Sequence, residues 1–479
     1  MVISLASGLA GGDAAIRFEY RPIPFNLENC ETPAKTVLEP MAGGVAVFDF
    51  NNDGRPDIFF TNGAEIPSLR KNSAKYSNRL FRNDGNGRFT DVTDSAGLRG
   101  TGYDTGVAVG DYDNDGFKDL FVAGVHHYTL YHNNGDGTFT DVTERVGISA
   151  ADSTFGPMWG VGAAWFDYNR DGRLDLFVVN YLRWDPKKEP KCPDYCHPNY
   201  YEGTPNRLYR NDGNGHFTDV SAESGIREYI GKGMSASLAD MEGDGKLAIF
   251  VTNDKQMNYL FRNSGKGRFR DVAVEYGVPL PSYGMPVSGM GSDFRDVDND
   301  GRPDIFFVAL QNEGFPLFHN TGKRFFEEAS VTNGLAQLAN NMSGYSPAIV
   351  DFDNDGWKDL FVSCGHVQSV PLSRSMKIDL PSVVFRNRAD GHWDALVDEA
   401  GFGSQPARRH RGAAFGDFDG DGRVDLVVTG LGAPAEIWMN RSPAANHWLD
   451  VELVGSTSNR DGIGAALMVV TASAGSSTI

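Results

Sequence analysis

Short apolar runs alternate with polar, glycine-rich turns along almost the whole chain, and their spacing is that of strands rather than of amphipathic helices. The runs recur in a fixed group. First comes a small-residue run such as GVAVFDF, ending at Phe50, and it leads straight into an acidic loop. A second apolar run follows, as in DIFFT (Asp57–Thr61). A third ends in asparagine: Leu80–Asn83, Leu130–Asn133, Leu208–Asn211, Leu260–Asn263, Leu317–Asn320 and Val384–Asn387. The fourth reads FTDVT (Phe89–Thr93, Phe139–Thr143) or FTDVS (Phe217–Ser221) and follows a Gly/Asn turn. The Asp-Gly-Asn-Gly stretches at 84–87 and 212–215 are hairpin signals, because these residues tolerate positive φ.

The acidic loop is the element that repeats most faithfully. It opens at Asp49, Asp111, Asp167, Asp240, Asp296, Asp351 and Asp417, with starts 62, 56, 73, 56, 55 and 66 residues apart. A period of this size marks a repeat architecture. Seven units of four strands predict an all-β, seven-bladed β-propeller, an arrangement that leaves few exposed strand edges. The expected boundaries are an N-terminal segment at 1–42, the propeller at 43–443 and a short, truncated C-terminal β segment at 444–479. Residues 1–12 lack a basic n-region and carry only a weak apolar run, which leaves a signal-peptide remnant and a mis-assigned start both open. Ile16–Tyr20 is the one strand expected before the repeats.

Each loop places oxygen ligands at positions 1, 3, 5 and 9, a glycine at 6 for the sharp turn, and a backbone carbonyl at 7. This is a donor set for calcium, which takes six to eight hard oxygens. The loops resemble the first nine positions of an EF-hand but lack its position-12 Glu, and strands rather than helices flank them. The expected calcium ligands are Asp49, Asn51, Asp53, Arg55 and Asp57 in the first copy, and Asp111, Asp113, Asp115, Phe117 and Asp119 in the second. Asp167, Asn169, Asp171, Arg173 and Asp175 serve the third, and Asp296, Asp298, Asp300, Arg302 and Asp304 the fifth. Asp351, Asp353, Asp355, Trp357 and Asp359 serve the sixth, and Asp417, Asp419, Asp421, Arg423 and Asp425 the seventh. The fourth copy, DMEGDGKLA, keeps Asp240 and Asp244 but has Glu242 at position 3 and Ala248 at position 9. Its site is expected to be weak or empty.

Composition then changes one point of the picture. The formal charge is −19, which disfavours nucleic acid or an anionic membrane as partner, yet the seven loops hold 25 of the acidic residues. The acidity therefore reads as metal sites rather than as a steering field. No run is long and apolar enough to span a bilayer as a helix.

The repeats resemble the FG-GAP/VCBS type of integrin-like propellers. WGVGAAWFDYNRDG (159–172), RLYRNDGNGHFTDVS from Arg207 and RGAAFGDFDGDGRVDLVV from Arg411 extend the resemblance to the cartilage acidic protein family. NHWLDVELVGSTSNRDGIGA, from Asn446, resembles the start of the ASPIC/UnbV domain that follows the propeller there. The resemblance implies a secreted or envelope-exposed calcium-binding protein, and some bacterial members are associated with natural-product biosynthesis.

In a propeller the acidic loops and the C–D turns share one face, and the B–C and D–A connections share the other. The long B–C insertions Asn62–Asn78, Asn180–Asn206 and Cys364–Ser382 therefore lie opposite the metal loops. That face also receives the candidate ligand residues His126, His127, Trp159, Trp184, Tyr283, His366, Arg408, Arg409, His410 and Arg411. The histidines suit acid/base or ligand roles, the arginines a carboxylate or phosphate, and the aromatics a flat ligand. Structural service in loop packing and ion pairs is the competing reading for all ten. Cys192 and Cys196, in KCPDYCHP, are expected as a local disulfide; zinc with His197 is disfavoured because no second ligand pair follows. Cys30 and Cys364 stay unassigned.

Two functions are carried forward. The first is a calcium-rigidified extracytoplasmic scaffold, secreted, periplasmic or in the cell envelope, that binds a protein, glycan or small molecule on the loop face. The alternative is an enzyme of lyase, dehydratase or cyclase type with an axial pocket on that face. No nucleophile elbow, P-loop, dinucleotide fingerprint or HExxH motif argues for a familiar chemistry. The sequence assigns neither a catalytic residue nor an oligomeric state.

Overall fold

A computed structural model describes residues 4–5, 16–443, 446–471 and 475–478. The stretch 1–12 singled out above lies outside the described residues except for Ser4–Leu5, which pairs with Met468–Thr471. Seven four-stranded antiparallel sheets are arranged around a ring. Blade 2 is representative, with strands Asp104–Gly110, Asp119–Gly124, His127–Asn133 and Phe139–Asp141 in simple meander order, here lettered A to D from the centre outward.

The inner A strands of neighbouring blades pack against one another, which explains their Gly and Ala content. A Cβ on Gly106 would sit 2.3 Å from the Val161 carbonyl of the next blade, and one on Gly412 would sit 2.2 Å from that of Gly43. Apolar side chains from the two faces of each blade then fill the clefts between blades, for example Phe121, Leu130, Trp165 and Leu176 between blades 2 and 3.

The seventh blade closes the ring. Its strands His410–Gly416, Asp425–Gly430 and Pro434–Asn440 receive a fourth from the N-terminal segment, Phe18–Asn26, which runs antiparallel to the last of them with Phe18 opposite Asn440. The expected strand Ile16–Tyr20 is thus longer and shifted, and the propeller begins well before residue 43. Pro22 and Pro24 are tolerated because this is an outer strand with one unpaired edge.

A second ring of contacts ties the blades together. The asparagine that ends each C strand, or in blade 1 lies two residues before its end, donates its side-chain amide to the position-2 carbonyl of the preceding blade's acidic loop. The pairs are Asn83–Phe418, Asn133–Phe50, Asn211–Tyr112, Asn263–Tyr168, Asn320–Met241, Asn387–Val297 and Asn440–Phe352, at 2.7–3.3 Å. All seven blade junctions carry this bond.

The FTDVT runs are not strands throughout. Phe139–Asp141 is strand, and Thr143–Val146 is a helical turn that ends at the left-handed Gly147. Asp141 causes the break by accepting the Thr143 amide at 3.0 Å, and the Thr143 hydroxyl in turn receives the Leu130 amide at 2.8 Å.

Candidate metal centres and the opposite loop face

The acidic loops are built by their own carboxylates. In blade 2, Asp111 accepts the amides of Asp115 (3.0 Å) and Gly116 (2.8 Å), and Asp115 accepts that of Phe117 (2.8 Å). Position 4 is left-handed, as at Asn114 (φ 59°), and position 6 is a glycine, Gly116, at φ 97°. The position-9 aspartate is a buried staple. Asp119 accepts the amides of Tyr112 (3.1 Å) and Asn133 (2.8 Å), joining its loop to strand C. Asp57, Asp175, Asp304, Asp359 and Asp425 make the same pair of bonds in their blades.

Position 7 contributes more than a carbonyl. Arg55, Arg173, Arg302 and Arg423 each donate Nε to the carbonyl of the strand-C asparagine and pair their guanidinium with the position-5 aspartate.

Among the described residues the carboxylates of Asp111, Asp113 and Asp115, of Asp296, Asp298 and Asp300, and of Asp351, Asp353 and Asp355 come together as a metal would need them, with ligand atoms within 4.8 Å of one another. Asn51 and Asn169 take position 3 in blades 1 and 3, and each donates to the position-5 aspartate. The donor set fits calcium on a second ground. Asp353 is 3% exposed and neither of its oxygens has a hydrogen-bond partner; Asp296 Oδ1 is in the same state. Buried, unpaired carboxylate oxygens are costly unless a cation meets them. Electrostatics agree. Burial lifts Asp57, Asp119, Asp351 and Asp425 to about 7 and Asp175 to about 8; backbone amides offset part of this in each case, and neighbouring loop carboxylates add to it.

The fourth loop differs. Asp240 accepts the amides of Asp244 (3.0 Å) and Gly245 (2.6 Å), and Lys246 pairs with Asp244. Glu242 turns outward to Arg262 (2.7 Å), Arg324 (3.1 Å) and the Tyr276 hydroxyl (2.6 Å). Ala248 offers no staple.

The chain's own C-terminal stretch crosses this metal-loop face. Trp448 lies against Gly422 of blade 7. Farther on, the Arg460 amide donates to Asn114 (2.7 Å), and Asp461 accepts the Asp111 amide (2.9 Å) and pairs with Lys118.

The ten residues assigned to the opposite face do not converge on one pocket. His126 faces the Trp184 carbonyl at 3.1 Å, and the Trp184 indole donates to Glu189 at 2.6 Å. His127 joins a buried cluster with Asp104 (2.6 Å) and Lys71; burial opposes its charge but Asp104 outweighs this and raises its pKa. Trp159 is fully buried, edge-on to Tyr181. Arg408 pairs with Glu436 (2.8 Å), Arg409 with Glu31 (3.0 Å), and His410 faces the Cys364 carbonyl (3.0 Å). Arg411 is buried over the Tyr345 ring and donates to the carbonyls of Pro40, His410 and His366. Burial first, then Arg411, brings His366 down to about 4. Tyr283 alone of the ten keeps a mostly exposed ring, with its hydroxyl on the Glu313 carbonyl.

Sequence reasoning missed what closes this face. The N-terminal turn Glu39–Met41 is buried at its centre, with Pro40 O accepting from Arg411 and from Tyr345, and Tyr103 donating to the Asn29 and Leu38 carbonyls. The insertions of blades 3 and 6 meet above it, where the Ser369 amide and hydroxyl donate to Asp194 at 2.7 and 2.8 Å. The Cys192–Cys196 disulfide is present in the first of these insertions. Among the described residues no helix is long and apolar enough to cross a membrane.

The FG-GAP-like repeat family matches residues 49–122, 111–178, 240–307 and 296–362, just over half of the chain. Cartilage acidic protein 1 of Mus musculus is 26% identical over 430 residues, and that of Homo sapiens 25% over 432, each alignment taking in 85% of this chain. The chain spans about three-fifths of the length of these relatives, 61% and 59%. Among solved structures, the BP39L lectin from Burkholderia pseudomallei superposes with a TM-score of 0.51 at 10% identity, over 85% of this chain and 98% of that one, a likeness of fold alone.

Proposed function

The chain belongs to the FG-GAP-like repeat family, and from that premise we propose that it is a calcium-dependent binding scaffold that works outside the cytosol. Six acidic loops hold calcium and rigidify the propeller, the fourth holds it weakly or not at all, and the opposite loop face engages a protein, glycan or small molecule. The contrast between the two faces carries this reading. One face has buried carboxylates without partners and is crossed by the chain's own C-terminal stretch. The other presents Tyr200, Met257, Tyr283, Met285, Val370 and Leu372 as exposed apolar side chains on its connecting loops. Exposed aromatics and methionines on a rigid frame are a common binding surface. The disulfide supports an oxidising compartment.

Loops without the position-12 Glu are expected to bind in roughly the 10⁻⁴–10⁻³ M range of extracellular modules. Calorimetry on the stripped protein tests the metal half: six calcium equivalents in that range are expected, and no heat of binding would refute it. Glycan and extracellular-protein arrays test the other half. Binding should be lost in a Tyr283→Ser/Met285→Ser variant; binding that survives it but is blocked by a ligand of the metal-loop face would refute the assignment of faces.

A further inference from the structure

The residue before the strand-C asparagine is not the same in every blade; as an arginine it pairs with Asp84 and Asp212 of the C–D turn in blades 1 and 3, and faces the position-3 carboxylates Glu242 and Asp353 in blades 4 and 6. It is Arg82, Arg210, Arg262 and Arg386 in blades 1, 3, 4 and 6, and Met439 in blade 7. Arginine stays protonated and has no lone pair to offer a metal. In blades 2 and 5 the position holds His132 and His319.

Both imidazoles point their Nδ1 into the loop. His132 Nδ1 lies 3.4 Å from Asp113 Oδ2 and 3.2 Å from Asp119 Oδ1. His319 Nδ1 lies 3.1 Å from Asp298 Oδ2 and 3.2 Å from Asp304 Oδ1. Each loop holds an atom without a partner, within the His132 group in blade 2 and beside the His319 group in blade 5. His132 Nδ1 is shut off from solvent yet has no hydrogen-bond partner of acceptable geometry. In blade 5, Asp296 is 7% exposed, its Oδ1 is unpartnered, and its carboxylate gathers with those of Asp298 and Asp300.

We propose that blades 2 and 5 carry mixed nitrogen–oxygen metal sites, Asp113/Asp119/His132 and Asp298/Asp304/His319, that take zinc in preference to calcium. The proposal rests on the reading that the loops bind cations and changes the cation at two of them. Imidazole is a ligand for zinc and its transition-metal neighbours, whereas calcium takes oxygens. Zinc bonds of about 2.0–2.2 Å in a tetrahedron put ligand atoms roughly 3.3–3.6 Å apart, close to the spacings found. The carboxylates are already oriented for it, since Asp119 and Asp304 are each fixed by two backbone amides. Two His/Asp sets leave at least one position of each zinc open to water.

The intact chain, stripped with EDTA, is titrated with zinc and, in parallel, with calcium. Two zinc equivalents should bind at least about tenfold more tightly than calcium does. His132→Asn and His319→Asn should each remove one of those equivalents, or weaken it about tenfold to a hundredfold, leaving the other calcium loops unchanged. Zinc binding indifferent to both substitutions would overturn the proposal. If the variants fold poorly, zinc-edge X-ray absorption on the wild-type protein decides: imidazole outer-shell scattering is expected, and an all-oxygen shell overturns it. Calcium binding without histidine-dependent zinc binding refutes the mixed sites alone. Absence of binding by either ion refutes them together with the calcium reading.

Discussion

Replacing Asp353 by asparagine should have opposite effects with and without calcium. The side chain is buried, both of its oxygens lack hydrogen-bond partners, and the nearest cation, Arg386, stands 3.6 Å away. Burial, with Asp355 next, lifts its pKa from 3.8 to about 6. Above pH 6 the folded, metal-free chain therefore holds an ion that the unfolded chain would hold at lower cost. Each pK unit is about 1.4 kcal/mol, so a shift of this size is worth up to roughly 3 kcal/mol. Asp353→Asn removes that charge while keeping the shape, so in excess EGTA at pH 7.5 the variant should melt a few degrees above the wild type. In millimolar calcium the order should reverse. A charged ligand is lost, and a tenfold weaker site costs about 1.4 kcal/mol of linkage stabilisation when calcium is in excess. Differential scanning calorimetry of both proteins in both buffers reads the crossing directly. A variant that melts lower than the wild type in EGTA as well, with metal loss confirmed, would refute the reading of Asp353 as a carboxylate held for a cation.

The pH dependence should cross in the same way. Asp57, Asp119, Asp351, Asp425 and Asp175 have folded pKa values of about 7 to 8 against an ordinary 3.8, so the folded metal-free protein binds more protons than the unfolded chain between these limits. Its melting temperature should fall as pH rises from about 4 to 8, and saturating calcium should flatten or invert that slope; a metal-free protein more stable at pH 8 than at pH 5 would contradict it. Asn133→Ala strips the bonds to the Phe50 and Lys118 carbonyls (2.8 and 3.1 Å) and leaves both buried, a cost of about 2–4 kcal/mol measurable by denaturant titration, against less than about 0.5 for an exposed asparagine such as Asn134. An anomalous-scattering map at moderate calcium should leave the loop at Asp240 empty or weak; a full ion with short bonds to Asp240, Glu242 and Asp244 would count against the reading of that loop.

The blades and their loops were legible because one nine-residue pattern recurs in register with the same strands. What the sequence hid is long-range. The strand expected at Ile16–Tyr20 stops short of the observed Phe18–Asn26, since Pro22 and Pro24 interrupt the pattern; only its place on the outer edge of blade 7 makes them harmless. The asparagines that end the third runs were visible in six repeats, but their partner carbonyls lie in the preceding blade, and the pattern within one repeat has no access to that register. The opposite face looked open because residues 27–42 carry no repeat signature, yet Glu39–Met41 occupies its centre. His132 and His319 were in plain view, because Leu80–Asn83, Leu208–Asn211, Leu260–Asn263 and Val384–Asn387 carry arginine before the asparagine where Leu130–Asn133 and Leu317–Asn320 carry histidine. The signal was the exchange of an arginine for a potential ligand at a fixed position in the repeat.

Blade 4 shows how the same frame stands without a full acidic loop. In the other six blades the position-9 aspartate binds loop to strand C, and in five of them, all but blade 7 with its Gly420, the position-4 side chain reaches the next blade, as Asn52 does to Gly116 and Asn354 to Gly422. Blade 4 has Ala248 and Gly243 at these two positions, so it loses both ties. Three features offset the loss. Its Asn263 still donates to Tyr168 of blade 3, and its Met241 carbonyl still accepts from Asn320 of blade 5, so the outer ring of bonds is unbroken. The charge that remains is met by built-in cations, Lys246 at Asp244 and Arg262 with Arg324 at Glu242, which hold Glu242 below its ordinary pKa against the effect of burial. And a Cβ on Gly245 would strike Arg170, whose guanidinium reaches across from blade 3 to the Asp244 carbonyl at 2.9 Å, so the glycine keeps open the one loop-to-loop tie this blade retains. A covalently attached cation cannot be lost by dilution or chelation. If the loops bind cations as proposed, blade 4 is therefore the part of the ring whose packing does not depend on the surrounding medium, and the six acidic loops are the parts whose rigidity would follow the metal ions available to them.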